Sequence, residues 1–190
     1  MNGESELPEG WAEISLKNIT TTQSAICYGV LKPGEFTIGG VPLIRVKDIK
    51  NSKIEINDIF YLSPEIDAQF YRSRLKGGEI LISVQGSVGR IALVPEELKG
   101  ANISRTIAVL PLKEQLLSKW IYYILQSPQV QQELSSLTGG TTRDSLNIRD
   151  LREVVIPLPP LAEQRRIVAA VEALLARVDT SQERLDRVPG

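Results

Sequence analysis

The feature that most constrains this chain is the stretch of residues 161–188, which contains neither glycine nor proline. It is rich in Ala, Glu, Arg and Leu, residues that favour the α-helix. Pro160 precedes it and Glu163 lies in its first turn, and both suit a helix start. Such a helix would extend roughly 42 Å. A small domain has no need of that length, so we predict a globular part and a projecting helix.

The apolar side chains of this helix recur at alternating spacings of four and three, with one polar interruption at Ser181. This heptad pattern is typical of a helix that pairs with another helix. The alternative is a lone helix packed on its own domain. We prefer pairing, and the predicted pairing residues are Ile167, Val171, Leu174, Val178, Leu185 and Val188.

The preceding 158 residues are mostly β-rich. Runs 79–84 and 88–94, joined by Gln85-Gly86-Ser87, predict a hairpin, and 103–110 predicts a third strand. Helical spacing appears at 116–125 and 128–137, and residues 153–158 predict a last strand. We therefore predict an α+β fold with a mixed, largely β domain over residues 1–158. One long coiled-coil-forming helix follows within residues 159–190.

The composition excludes several kinds of catalytic centre. The chain has no histidine and a single cysteine, Cys27. Ser-His-Asp and Cys-His pairs and histidine-ligated zinc sites therefore cannot form, and neither can a disulfide within the chain. The segment 138–143 is glycine-rich but lacks the order of a phosphate-binding P-loop. It suits a helix cap and an anion-facing loop equally well. We expect no cofactor, no metal and no membrane association, and a soluble, cytoplasmic protein.

The charge is nearly balanced, with 22 Lys and Arg against 23 Asp and Glu and a pI near 5.7. This balance argues against nucleic-acid binding, which requires basic residues to neutralise phosphates. Four basic residues nevertheless fall within nine positions, at Arg45, Lys47, Lys50 and Lys53. On charge alone, a solvated face explains them better than a DNA-facing patch.

Three motifs resemble those of one family, the DNA specificity subunits of type I restriction-modification systems. The first is the opening Leu7-Pro8-Glu9-Gly10-Trp11. The second is the hairpin with Glu79-Ile80-Leu81-Ile82-Ser83 and Gly86-Ser87-Val88-Gly89. The third and most specific is Ile156-Pro157-Leu158-Pro159-Pro160-Leu161-Ala162-Glu163-Gln164, followed by Arg166-Ile167-Val168. The resemblance covers nearly the whole chain.

Members of that family have two repeats, each a target-recognition domain followed by a long helix, and the two helices pair antiparallel. This chain resembles one such unit, a half-subunit. The resemblance implies a non-catalytic DNA recognition part that places methyltransferase subunits, and through them restriction subunits, on a bipartite double-stranded DNA target. We expect two copies to form a homodimer through the helix and so rebuild the two-domain arrangement.

We predict DNA contacts from loops of the basic region and from the glycine-rich segment. Arginine suits guanine and the amides suit adenine, while other basic groups contact phosphates. The candidates are Arg45, Lys47, Lys50, Lys53, Gln85, Ser87, Arg90, Asn102, Ser104, Arg105, Gly140, Thr141, Thr142 and Arg143.

Two other functions remain open on the sequence. One is a protein-interaction adaptor that uses the helix and the proline-rich run. The other is the recognition fragment of a self-contained restriction-methylation enzyme.

Overall fold

A computed structural model describes residues 7–21, 25–113, 117–139 and 144–186. The fold is α+β, as predicted, and a long helix follows the globular part. The candidates Gly140, Thr141, Thr142 and Arg143 lie outside the described residues, as does Val188. Among the described residues the six α-helices are α1 (Leu16–Ile19), α2 (Pro64–Gln69), α3 (Ser118–Ile124), α4 (Pro128–Ser136), α5 (Ile148–Glu153) and α6 (Leu161–Asp186).

A four-stranded antiparallel sheet forms the centre of the domain. Its strands are β2 (Cys27–Tyr28), β7 (Ile80–Ser83), β8 (Ile91–Leu93) and β10 (Ile107–Leu110), in the order β2-β10-β7-β8. Every side chain of β7 and β10 is buried, because one set packs against the helices and the alternate set against the remaining strands. The predicted hairpin is confirmed as β7 and β8, with Ile82 opposite Ile91.

The other strands form three smaller sheets. They are β3 (Val41–Ile44) between β6 (Phe60–Leu62) and β9 (Asn102–Ile103), the hairpin of β4 (Ile49–Lys50) and β5 (Lys53–Ile54), and β1 (Ala12–Ser15) paired with β11 (Val155–Leu158). The prediction of one strand over 103–110 is wrong. A turn at Ser104, which accepts a hydrogen bond from the Ile107 amide at 3.0 Å, divides it between two sheets.

The start of α6 is fixed to the domain by the β1–β11 pair and by two tryptophans. Trp11 contacts Trp120 edge to face at 5.6 Å, and its indole N–H donates to the Glu163 carboxylate at 3.1 Å. Gln164 is buried and its amide donates to the Pro159 carbonyl at 2.8 Å. Val168 belongs to the main core. The helix therefore leaves the domain in a fixed direction.

Candidate nucleic-acid interface

An open cleft of about 940 Å³ lies between the β4–β5 hairpin, the loop before β8 and helices α3 and α4. Four predicted DNA-binding residues line it, namely Lys47, Lys50, Ser87 and Arg90. No Asp or Glu is among the described residues that line it. The structure thus brings together side chains that are up to 43 positions apart in the sequence.

Arg90 joins the two walls of the cleft. Its guanidinium donates to the carbonyl oxygens of Val46 and Ile49, at 3.3 and 3.0 Å. These carbonyls belong to the segment that carries Lys47 and Lys50. The Arg90 side chain remains exposed, so a guanidinium charge lies at the surface of the cleft.

The loop before β8 is fixed by hydrogen bonds to Ser83, which is completely buried. The Ser83 hydroxyl accepts a hydrogen bond from the Arg90 amide at 2.8 Å and donates to the Ser87 carbonyl. Gly89 follows with a φ of 87°, a conformation that favours glycine. Gln131 of α4 donates to the Gly89 carbonyl at 3.1 Å. Ser87 and Arg90 therefore lie on a fixed loop.

Both lysines of the cleft are exposed and each contacts one carboxylate outside its lining. Lys47 is 2.7 Å from Asp58, and Lys50 is 2.5 Å from Glu55. The hydrogen bond and charge of Lys47 lower the pKa of Asp58. Exposed ion pairs of this kind contribute little to stability. Loss of these partners therefore costs little stability.

Arg45 differs from the two lysines, because its side chain is used within the fold. Its guanidinium contacts the buried Asp48 carboxylate at 3.1 and 3.2 Å and donates to the Asp58 carbonyl at 2.6 Å. It also lies over the Phe60 ring, 5.5 Å from the centroid. These contacts stabilise the turn after β3 and hold the partly exposed guanidinium against it.

The prediction of Asn102 as a DNA contact is wrong, because its side chain is fully buried. Its amide nitrogen donates to Asp67 at 2.9 Å and to the Phe70 carbonyl at 3.1 Å. Its oxygen accepts from the Ser73 hydroxyl at 2.7 Å and from the Ile103 amide at 2.9 Å. All four bonding positions of the carboxamide are occupied. Asn102 connects α2, the turn after it and β9.

The other described candidates lie outside the cleft lining. Lys53 and Arg105 are exposed, and neither side chain makes an ion pair with the described residues. The Ser104 hydroxyl lies 2.7 Å from that of Thr106. Gln85 pairs with Ser145, just after the glycine-rich segment, and the neighbouring Gly86 amide donates to the Asp144 carbonyl at 3.1 Å. The hairpin loop and the described flank of that segment are therefore adjacent.

Sequence reasoning missed four polar residues that line the cleft, namely Asn51, Ser52, Gln126 and Gln131. Asn51 carried the available signal for a turn, because asparagine tolerates the left-handed backbone conformation. Nothing in the local sequence marked the two glutamines. Their place beside the cleft follows from the packing of α3 on β8 and from the contact of α4 with the loop before β8.

The predicted helix seam divides into a docked part and an exposed part. Ile167 packs against the main core, and Val171 is half-buried. Beyond them, Leu174 and Val178 are exposed by 58% and 62%. The Ser181 hydroxyl is satisfied within the helix by the Arg177 carbonyl at 2.8 Å. The side chain of Leu185 is outside the described set.

Cys27 is half-buried, and its thiol lies 3.6 Å from the Arg72 carbonyl. Burial raises the pKa of this thiol, although the charges of Arg72 and Arg152 oppose that shift. No group of three or more metal-ligating side chains occurs among the described residues. No helix in the described ranges is both long and apolar enough to cross a bilayer.

Comparison with known proteins identifies the family of this chain. Residues 8–189 match the model of the type I restriction modification DNA specificity domain. The chain belongs to this family. The EcoBI specificity subunit of Escherichia coli is 36% identical over 181 residues, which cover 95% of this chain and 38% of that protein. The EcoKI specificity subunit of E. coli strain K12 is 25% identical, over 97% of this chain and 40% of that protein.

Solved structures of specificity subunits have the same fold. A chain from a study of assembly and conformational transition of the type I R-M system superposes with a TM-score of 0.73 at 26% identity, over 97% of this chain and 43% of that one. The HsdS subunit from Thermoanaerobacter tengcongensis superposes with a TM-score of 0.70 at 24% identity, over 95% of this chain and 46% of that one. This specificity domain thus spans less than half the length of the relatives it matches.

Proposed function

We propose that this chain is a non-catalytic DNA recognition part of a type I restriction-modification complex. It places methyltransferase subunits, and through them restriction subunits, on a bipartite double-stranded target. The observation that carries the proposal is the basic cleft, in which Lys47, Lys50 and Arg90 converge from separate segments of a specificity domain.

We assign different roles to the basic residues of the cleft. Lys47 and Lys50 exchange their carboxylate partners for DNA phosphates, which sets the position of the duplex. Arg90 and the polar side chains of the adjoining loops lie where they can approach base edges. Arg45 supports the loop that presents Lys47 and is not a DNA contact in this proposal. Ser87 and Gln85 extend the surface toward the glycine-rich segment.

The function is tested by producing the chain together with its methyltransferase subunit and sequencing methylated adenines in host DNA. Co-purification and methylation at one repeated bipartite motif are expected. Co-purification without a motif, or no co-purification at all, would contradict the proposal. The second result would favour a protein-interaction adaptor.

We further propose that residues 159–190 act as a separate pairing unit and that two copies form a homodimer. Leu174 and Val178 support this, because they leave an apolar stripe exposed beyond the docked part of α6. Ile167 packs against the core of the domain, so we expect contacts between the two helices to begin beyond it.

The oligomeric state is measured by gel filtration with light scattering. A dimer is expected, dissociated by Val178→Asp and unaffected by Ala176→Asp, which changes the opposite helix face. A monomer at high micromolar concentration would contradict pairing.

A further inference from the structure

The turn at the rim of the cleft has a rigid and specific geometry. Lys50 of β4 pairs with Lys53 of β5, so Asn51 and Ser52 form a two-residue hairpin connection. Their φ angles are 47° and 59°. Two successive residues with positive φ define the type I′ turn, which matches the twist of the two strands. The side chains of this turn therefore have a defined direction.

The turn is also fixed to helix α3 through Ser52. The Ser52 hydroxyl donates to the Gln126 carboxamide oxygen at 2.6 Å, and its carbonyl accepts from the Tyr122 hydroxyl at 3.0 Å. The Gln126 amide in turn donates to the Tyr122 carbonyl at 2.8 Å. Two hydrogen bonds thus hold the hairpin tip against α3 and the residues that follow it, and the third fixes the Gln126 side chain that one of them uses.

Asn51 is the exposed member of this turn, and it lines the cleft. Its carboxamide makes no hydrogen bond with any residue in the described ranges. The amides of Gln126 and Gln131, in contrast, are bonded to the protein. Lys50 and Lys53 flank the turn in the sequence, and both side chains are exposed. A free carboxamide beside the exposed lysines of the cleft has the donor and the acceptor that the edge of adenine requires.

We propose that Asn51 is a specificity-determining residue that reads one A·T base pair of the target. This inference rests on the proposed DNA recognition function. A type I′ turn also favours asparagine for backbone reasons alone, and glycine serves the backbone equally well. Replacement by glycine therefore separates the role of the amide from the role of the turn.

The experiment compares Asn51→Gly and Asn51→Asp in the complex with the methyltransferase subunit. Both substitutions suit positive φ, and aspartate replaces the amide donor by an acceptor. Methylated adenines in host DNA give the recognised motif of each complex. We expect both variants to lose preference at one A·T position by about tenfold or more, while all other positions keep theirs. Asn57→Gly, an exposed asparagine outside the cleft, should leave the motif unchanged.

An unchanged motif in both Asn51 variants would overturn the assignment while the proposed function stands. A uniform loss of methylation at every position would also overturn it, because a base-reading residue affects its own base pair first. If the unsubstituted complex methylates no motif, the proposed function fails and this assignment fails with it. The parent and the variants therefore report separately on the two claims.

Discussion

Two polar regions of this domain arise from the same kind of sequence and have opposite roles. Around Asn102, the side chains of Asp67 and Ser73 are buried and bonded to each other through its carboxamide. Around Arg90, Lys47 and Lys50 are exposed and bonded to surface carboxylates. Both regions contained predicted DNA-binding residues.

The difference shows that a polar side chain is available to a ligand only when the fold leaves its bonding positions free. Asn102 has none left. Arg45 is an intermediate case, since its guanidinium is partly exposed but bonded to Asp48 and to the Asp58 carbonyl. We therefore expect substitutions to affect stability in the first region and DNA affinity in the second.

The largest effect on stability is expected for Asn102→Ala. It removes four hydrogen bonds and leaves buried polar atoms of Asp67 and Ser73 with fewer partners. We expect the free energy of unfolding to fall by about 3 kcal/mol. Urea denaturation measures it, and exposed Asn57→Ala should change it by less than about 0.5 kcal/mol. Equal stability of the two variants would remove the contrast between the regions.

Arg45→Ala should have a smaller effect, about 1–2 kcal/mol, because it leaves the buried Asp48 carboxylate without its guanidinium partner. Arg45→Lys should fall between the parent and Arg45→Ala, since lysine keeps the charge but loses the planar fork. The same denaturation series measures both. If Arg45→Ala kept full stability but lost duplex binding, Arg45 would belong with the cleft lysines.

The smallest effect on stability is expected for the double substitution Lys47→Ala/Lys50→Ala. Both ion pairs are exposed, and many such pairs contribute nothing measurable to stability. We expect the urea midpoint to shift by less than that of Arg45→Ala. A larger shift would show that the cleft lysines are structural, as Asn102 is.

Sequence reasoning predicted the elements whose periodicity is local. The hairpin of β7 and β8, the helices α3 and α4 and the long α6 all follow from patterns within a single segment. It did not predict the short strands β2, β4, β5 and β6, because two or three residues are too few to show alternation. The split of 103–110 into two strands depends on a change of sheet partner, which no local pattern reports.

The candidate site was predicted in part for the same reason. Lys47, Lys50, Ser87 and Arg90 carried signals of charge or of a glycine-marked loop, and the structure brings them into one cleft. Asn102 carried an equally good signal, but it is buried and bonded to Ser73 and Asp67, which are 29 and 35 positions away in the sequence. Long-range packing therefore decides which polar loop residues remain available.

The most direct test of the cleft as the DNA-binding surface is the salt dependence of duplex affinity. Lys47→Ala/Lys50→Ala is compared with Lys32→Ala/Lys99→Ala, which removes the same charge from exposed positions outside the cleft. Log K falls with log salt concentration, and each lost phosphate contact makes this slope about 0.9 less negative. We predict that the slope becomes about two less negative for the cleft pair and stays unchanged for the control pair. Equal slopes, or a less negative slope confined to the control pair, would contradict the account.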